Sequence, residues 1–138
     1  MRSPAVEFVL QHSELNTRLL KKMESQLSAH GISFTEFLIL HHLNKAPGSV
    51  MRRIELAESV GITASGITRL LAPMEKTGLV EKESNPRDAR VSLVKLSKTG
   101  QKLYAEAAIS FDYGAEQLTE KISINQLNTL IELMKKLA

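Results

Sequence analysis

Apolar side chains near the start of the chain recur with the spacing of an amphipathic helix. Within residues 4–30 they follow the i, i+4, i+7 pattern at Phe8, Leu15, Leu19, Leu20, Met23 and Leu27. Ser3 and Pro4 are typical of a helix N-terminus, and His30-Gly31 is typical of a helix end. This pattern predicts a helix about 40 Å long, which is more than a compact domain of this size needs.

Capping signals predict three further helices. Residues 33–36 form a capping box, and the helix that follows ends at the breaker in residues 45–48. Ser97 can cap another helix, and residues 123–126 form a second capping box before a stripe of apolar residues that continues to the last positions.

The apolar stripes of the first and last helices need a cover. Pairing with the same helices of a second chain would bury both stripes, and the alternative is that the two helices cover each other within one chain. We favour pairing, because the central segment also suits a two-fold partner. The sequence therefore predicts dimerisation helices over residues 4–30 and 98–138.

Between Arg52 and Lys76, two short helical patterns are separated by Gly61. The spacing is typical of a helix-turn-helix, in which Gly61 adopts the left-handed backbone conformation and Ala57 is small because the second helix crosses close to the first. The apolar residues expected to fill the space between the helices are Leu56, Val60, Ile62, Ile67 and Leu70.

The second of these helices, predicted over residues 63–76, has two different faces. The inward face carries Ile67, Leu70, Leu71 and Met74. The other face carries small or hydrogen-bonding residues, namely Ala64, Ser65, Gly66, Thr68, Arg69 and Ala72. Such a face suits the major groove of DNA, and a solvated helix with an accidental run of small residues is the alternative. Pro73 lacks a donor for the Arg69 carbonyl, so we expect a kink or an early end near Ala72.

Two β-rich runs, residues 79–83 and 91–96, flank a polar turn and predict a hairpin. No other segment is typical of strands. The tip carries Arg87 and Arg90 with Asp88 between them. An arginine on such a ribbon can enter the minor groove, and Asp88 can hold the Arg90 guanidinium outward. A solvated charged loop is the alternative.

Charge is concentrated in the middle of the 138-residue chain. Residues 45–98 hold ten Lys or Arg against six acidic residues, a net of +4, whereas the flanks have a net of −1. A basic centre suits a polyanion. The length is that of one domain, and the absence of cysteine excludes a thiolate zinc site, a cysteine nucleophile and a thiol redox sensor.

Other function classes lack their signatures in this sequence. No run approaches the roughly 18 apolar residues of a membrane span, and residues 1–7 lack the apolar core of a signal peptide, so we expect a cytoplasmic protein, associated with the nucleoid when bound to DNA. The sequence contains no catalytic triad order, no phosphate-binding glycine loop and no catalytic carboxylate pair, so we do not expect an enzyme. The adjacent His41 and His42 point about 100° apart on a helix, so they cannot both bind one metal ion from one face. We therefore expect no metal site, and we expect no cofactor.

Two stretches carry a more specific signal. Residues 55–81 read ELAESVGITASGITRLLAPMEKTGLVE, and residues 88–100 read DARVSLVKLSKTG. They resemble the MarR family of bacterial transcriptional regulators, whose wing pattern is D-x-R…L-T-x-x-G, with Ser97 here in place of the usual threonine. The helix order also matches, so the resemblance covers nearly the whole chain.

The resemblance implies a homodimer whose terminal helices interleave and whose two winged helices bind a palindromic operator in double-stranded DNA. By analogy Ser65, Thr68 and Arg69 would lie in the major groove, and Arg90 in the minor groove, supported by Asp88. With Arg87 at the same tip, the expected DNA-binding residues are Ser65, Thr68, Arg69, Arg87, Asp88 and Arg90.

The resemblance also implies a repressor that a small, often aromatic and anionic, effector releases from DNA. By analogy His12, Phe37 and His42 could face a cavity for that effector, and for each of them a residue with no ligand is the alternative.

The predicted fold is mainly α with a small β-hairpin wing. It is a single domain of residues 1–138, with a winged helix-turn-helix lobe at 33–97 and terminal dimerisation helices. The alternative function is a winged-helix module for protein–protein interaction without sequence-specific DNA binding. Such a module would not need an exposed arginine pair on the wing.

Overall fold

The computed structural model describes residues 2–138 and has a mainly helical fold with a small sheet. The helices are α1 Pro4–Ser28, α2 Phe34–Lys45, α3 Arg53–Val60, α4 Ala64–Lys76, α5 Lys98–Leu118 and α6 Ile124–Lys135. The strands are β1 Val50–Arg52, β2 Val80–Ser84 and β3 Ser92–Leu96. The predicted fold class is confirmed. Met1, which belongs to the predicted domain of residues 1–138, lies outside the described residues.

Helix starts follow the capping signals in the sequence. In the box at the start of α2, the Ser33 hydroxyl accepts from the Glu36 amide at 3.1 Å, and Glu36 accepts from the Ser33 amide at 2.8 Å. The box predicted at residues 123–126 is likewise complete at the start of α6. Ser3 caps α1 and Ser97 caps α5, as predicted.

The start of α5 is packed against the base of the wing. The Ser97 hydroxyl accepts from the Gly100 amide at 2.9 Å and lies 2.6 Å from the Gly78 carbonyl, to which it donates. A Cβ on Gly100 would collide with the Leu79 carbonyl oxygen, so only glycine fits there. The close packing of α5 against Gly78 and Leu79 therefore explains why serine and glycine stand at these two positions.

The sheet has three antiparallel strands in the order β1-β3-β2. The prediction that only the hairpin forms strands is wrong, because β1 pairs with β3 through Arg52 opposite Leu93. A three-residue strand has too few positions to show alternation. Its strand conformation depends on pairing with a segment about forty residues away, which no local pattern reveals.

The hydrophobic core lies between the C-terminal end of α1, helices α2, α3, α4 and α5, and the sheet. Its most deeply buried side chains are Leu27, Ile39, Leu40, Leu43, Leu56, Ile67, Leu71, Met74, Val80, Val94 and Leu96. Strand β3 contributes Val94 and Leu96 from one face, so the wing is anchored in the same core as the helix-turn-helix.

Helix α4 continues through Pro73 to Lys76, so it does not end early near Ala72. Pro73 and Arg69 both lie on the exposed side of the helix, where water can bind the carbonyl that the proline leaves without a donor. On the other side Leu71 and Met74 are buried, and their packing holds the last turn in place.

The terminal helices leave large apolar side chains uncovered. On α1 these are Val6, Phe8, Val9, Leu10, Leu15 and Leu20, and on α6 they are Ile124, Leu130, Ile131, Leu133 and Met134, with Leu137 just after the helix. Helix α6 has no buried residue at all, so the two helices do not cover each other within the chain. No helix within residues 2–138 combines the length and the apolarity needed to cross a membrane.

Candidate nucleic-acid interface

Helices α3 and α4 are joined by a tight turn at Gly61. Its φ of 79° and ψ of 35° are left-handed, as the sequence predicts. The Gly61 and Ile62 amides both donate to the Ala57 carbonyl, at 2.9 and 3.0 Å, and Ala57 is 1% exposed. These bonds close the turn at the end of α3, and the burial of Ala57 agrees with the small residue predicted at this position.

The two faces of α4 separate as expected. Ile67, Leu71 and Met74 are buried, and Leu70 packs at the edge of the core. Ser65, Thr68 and Arg69 are exposed on the opposite side. The Thr68 hydroxyl donates to the Ala64 carbonyl at 3.1 Å, and Arg69 has no ion-pair partner within the described residues. The Arg69 guanidinium is therefore available to a ligand of α4.

The wing tip holds Arg90 in a fixed pose. Its Nε donates to Asp88 Oδ1 at 3.1 Å, its Nη2 donates to Oδ2 at 3.2 Å, and its backbone amide donates to Oδ1 at 3.0 Å. These hydrogen bonds, the side-chain ones foremost, hold the pKa of Asp88 below its usual range. The Arg90 side chain is nevertheless 91% exposed, so the predicted contact is present and directs the guanidinium to solvent.

Arg87 is exposed at the same tip. Its backbone amide donates to the Asn85 side chain at 2.9 Å, which closes the turn, and its guanidinium has no hydrogen-bond partner in the described part of the chain. Arg87 therefore adds positive charge to the tip without the side-chain anchor that Arg90 has.

A cavity of about 270 Å³ separates α4 from the wing. Thr68 of α4 and Arg90 of the wing both line it, so the two predicted DNA-binding elements lie side by side. The other lining residues are Arg52, Arg53, Ile54, Ala64, Ile67, Val91 and Ser92.

Sequence reasoning missed Arg53. Its guanidinium contacts Ser92, Thr68 and Glu75 at 3.3–3.4 Å, and its side chain is 18% exposed. These partners are 15 to 39 positions away, so no spacing rule could have identified them.

The structure does not bring His12, Phe37 and His42 together. His12 is exposed on α1, with its ring centroid 6.0 Å from that of Phe8. Phe37 is 3% exposed and stacks on Phe111 at a centroid distance of 4.4 Å. Within residues 2–138 no aromatic contact or hydrogen bond links any two of the three, and none of them lines the cavity beside α4.

His42 lies beside His41, with ring centroids 5.2 Å apart. Burial lowers the pKa of both histidines, and the nearby Lys45 lowers it further in each case. His41 Nδ1 lies 2.8 Å from the hydroxyl of Tyr104, whose pKa is raised by burial and by the charge of Asp112. No group of three His, Asp or Glu side chains in residues 2–138 is arranged to hold a metal ion.

The turn at Gly61, the exposed face of α4 and the hairpin beside it define a winged helix-turn-helix protein. Residues 30–91 match the model of the MarR family, which confirms the resemblance to that family.

Solved structures of MarR family regulators share the whole fold. AbsC from Streptomyces coelicolor superposes with a TM-score of 0.89 at 21% identity, over 99% of this chain and 94% of that chain. Sco3205 from the same organism, solved in complex with DNA, gives 0.89 at 24% identity over 99% and 91%. A MarR variant from E. coli complexed with operator DNA gives 0.87 at 23% identity over 96% and 94%.

Proposed function

We propose that this chain is a sequence-specific transcriptional regulator that binds a palindromic operator as a homodimer and acts as a repressor. The observation that carries the proposal is the pairing of two exposed elements at one cavity. Thr68 on α4 and the Asp88-anchored Arg90 on the wing both line it. DNA offers a major and a neighbouring minor groove at the same spacing on every turn, which suits two elements held side by side.

The major-groove element of the proposal is the exposed face of α4. Ser65, Thr68 and Arg69 combine low bulk with hydroxyl groups and one unpaired guanidinium. A guanidinium can donate two hydrogen bonds to a guanine edge, so Arg69 is the residue we expect to discriminate most strongly between bases.

The minor-groove element is the wing. Arg90 is directed outward by Asp88, and Arg87 adds a second positive charge at the tip. The narrow minor groove has an enhanced negative potential that attracts an inserted arginine. Because Asp88 already orders the guanidinium, less side-chain entropy is lost on binding.

The dimer of the proposal forms through α1 and α6, and residues 33–97 act as the DNA-binding lobe. The uncovered apolar side chains of both helices need a partner, and a second copy buries the same stripe on each side. The structures of Sco3205 and of the E. coli MarR variant in complex with DNA support the same mode of action here. Such a regulator works in the cytoplasm, where bacterial DNA lies, and no catalytic role is part of the proposal.

Replacing Met134, which is 51% exposed on α6, tests the dimer. Met134→Glu places a charge in the proposed interface while leaving the lobe core untouched, so we expect sedimentation equilibrium to shift towards the monomer. Asn128→Glu on the same helix adds the same charge at a polar position and serves as the matched control. Equal dimer dissociation constants for both variants and the parent would contradict the proposed interface.

Release by a small aromatic or anionic effector completes the proposal. Of the candidate residues, His42 is half-buried beside His41, whereas Phe37 would meet an effector only if its stack on Phe111 opened. His12 lies on the part of α1 proposed to pair with the second copy. Titration of a salicylate-like aromatic carboxylate into the protein–operator complex, with His42→Ala in parallel, tests whether this region responds.

Selection of bound duplexes from a random DNA pool at physiological salt tests the function directly. Salt matters because phosphate contacts alone would enrich every sequence at low ionic strength. The expected product is an inverted repeat with half-site centres about one helical turn apart. A folded dimer that enriches no sequence would contradict the proposal and favour a winged helix that binds a protein partner.

A further inference from the structure

Arg53 lies where the recognition helix α4 meets the wing, and its guanidinium contacts both. Its Nε donates to the hydroxyl of Ser92, the first residue of β3, at 3.3 Å. Its Nη1 donates to the Thr68 hydroxyl on α4 at 3.4 Å, and its Nη2 donates to Glu75 Oε1, further along α4, at 3.4 Å. One side chain therefore spans the two elements that the proposed function assigns to DNA.

The environment of Arg53 differs from that of the other arginines lining the cavity. Its side chain is 18% exposed, against 54% for Arg52 and 91% for Arg90. Three of its donors are directed at protein acceptors, and its charge is balanced by Glu75, which is 23% exposed. A guanidinium in this position is directed towards the protein, whereas a phosphate contact needs one directed outward.

The contact with Thr68 also completes a hydrogen-bond chain. The Thr68 hydroxyl donates its only proton to the Ala64 carbonyl at 3.1 Å, so the Arg53 donor meets an oxygen that is free to accept. The hydroxyl of Thr68 thus donates to the Ala64 carbonyl and accepts from Arg53.

We propose that Arg53 is a positioning residue that fixes the wing relative to α4, so that Arg69 and Arg90 can enter their two grooves at the same time. This inference rests on the proposed DNA-binding function. The spacing of the grooves is a property of DNA, and a protein that already holds both elements at that spacing loses less conformational freedom on binding. Without Arg53, the charged link between α4 and the tip end of strand β3 is lost.

Glu75 separates this role from a direct phosphate contact by Arg53. Removing the Glu75 charge makes the surface more positive, which by electrostatics alone strengthens DNA binding. If Arg53 instead positions the wing, Glu75→Gln removes the anchor of its guanidinium, and DNA binding weakens. The two roles therefore predict opposite signs for Glu75→Gln.

Ser92 and Ser84 provide a matched pair for the contact with the wing. They are directly opposite each other on β3 and β2 and are both exposed, but only Ser92 has a hydrogen bond to Arg53 among the described residues. Operator affinity, measured by fluorescence anisotropy, is expected to fall about threefold in Ser92→Ala and to stay at the parental value in Ser84→Ala.

Substitution of Arg53 itself completes the experiment. Arg53→Lys keeps the charge, but an ammonium cannot span three acceptors in a fixed fork, so we expect about tenfold weaker binding with an unchanged salt dependence. A lost phosphate contact would instead lower the salt slope by about 1 in Arg53→Ala. In the Arg90→Ala background the loss from Arg53→Lys is expected to shrink, because the wing no longer contributes its arginine.

The outcomes are distinct. Weaker binding of Glu75→Gln and Arg53→Lys, with urea midpoints like the parent, supports positioning. Positioning is overturned if Glu75→Gln binds the operator more tightly or if Arg53→Lys binds it as the parent does. It is also overturned if Arg53→Lys causes the same loss of affinity in the Arg90→Ala background as in the parent. If the parent protein selects no operator, the proposed function fails and the inference fails with it. If the parent selects one and the variants match it, only the inference fails.

Discussion

Asp88 binds Arg90 through both carboxylate oxygens, at 3.1 Å to Nε and 3.2 Å to Nη2, while Arg90 remains 91% exposed. An ion pair this exposed contributes little to stability. Its effect is geometric, because it orders a guanidinium at the end of a projecting turn without burying it.

Arg90→Ala is expected to weaken operator affinity by about 10- to 100-fold, since an arginine contact to DNA is worth about 1–3 kcal/mol. Asp88→Asn is expected to weaken it less, because the guanidinium remains and only its ordering is lost. Fluorescence anisotropy with the selected operator measures both. Sedimentation should show an intact dimer in each case. A dimer that dissociates while DNA affinity stays unchanged would contradict the assignment of the wing to DNA binding.

The pH dependence of the same pair follows from the hydrogen bonds of Arg90, which lower the pKa of Asp88 in the folded protein. A lowered folded-state pKa means that the unfolded chain binds the proton more readily. The stabilisation is therefore complete above the unfolded value of about 3.9 and is lost as pH falls through the lower folded value. Carboxyl-carbon NMR should show Asp88 titrating below that value, and Arg90→Ala should move it back up; an unmoved midpoint would contradict the assigned cause.

The histidine pair on α2 predicts a second pH effect, at higher pH. Burial, followed by the charge of Lys45, lowers the pKa of His41, so the folded state disfavours its protonated form. Stability is expected to be complete above about pH 6.5, the unfolded value, and to fall as pH drops towards the lowered folded value.

Urea unfolding at pH 7.5 and 5.5 measures this effect. His41→Gln, which can still hydrogen-bond Tyr104, should reduce the difference between the two midpoints. Asn44→Gln, at an exposed position of the same helix, is the control and should leave the difference unchanged. Equal differences in all three proteins would show that His41 is not the titrating group.

Gly61 has a φ of 79°, so a side chain at this position is expected to lower the stability of the fold. A Cβ there would meet no atom within 4 Å, so the cost of Gly61→Ala is that of the left-handed backbone alone, about 1–2 kcal/mol of unfolding free energy. Gly61→Asn should cost less, because asparagine tolerates this conformation better. Urea denaturation distinguishes them, and an alanine variant as stable as the parent would contradict the backbone argument.

Much of this fold was predictable from sequence because its signals are local. The capping contact between Ser33 and Glu36 spans three positions, as does the one between Ser97 and Gly100. The turn at Gly61 depends on the backbone of one residue, and the contact between Asp88 and Arg90 spans two positions. Interactions within one turn of chain leave a pattern that can be recognised without knowing the fold.

Other features are defined only by contacts between distant segments. β1 exists because Arg52 pairs opposite Leu93, and α4 continues past Pro73 because the core holds its buried face. Phe37, expected near an effector, is buried because Phe111 of α5 stacks on it.

The sequence by itself determined where the capped helices begin, which face of α4 is free and that the wing tip presents arginines, since each depends on residues within a few positions. The tertiary structure decided which elements share a cavity, and it placed Arg53 between Ser92 and Glu75. The physical reason is that chain folding brings together groups whose separation along the sequence carries no periodic signal.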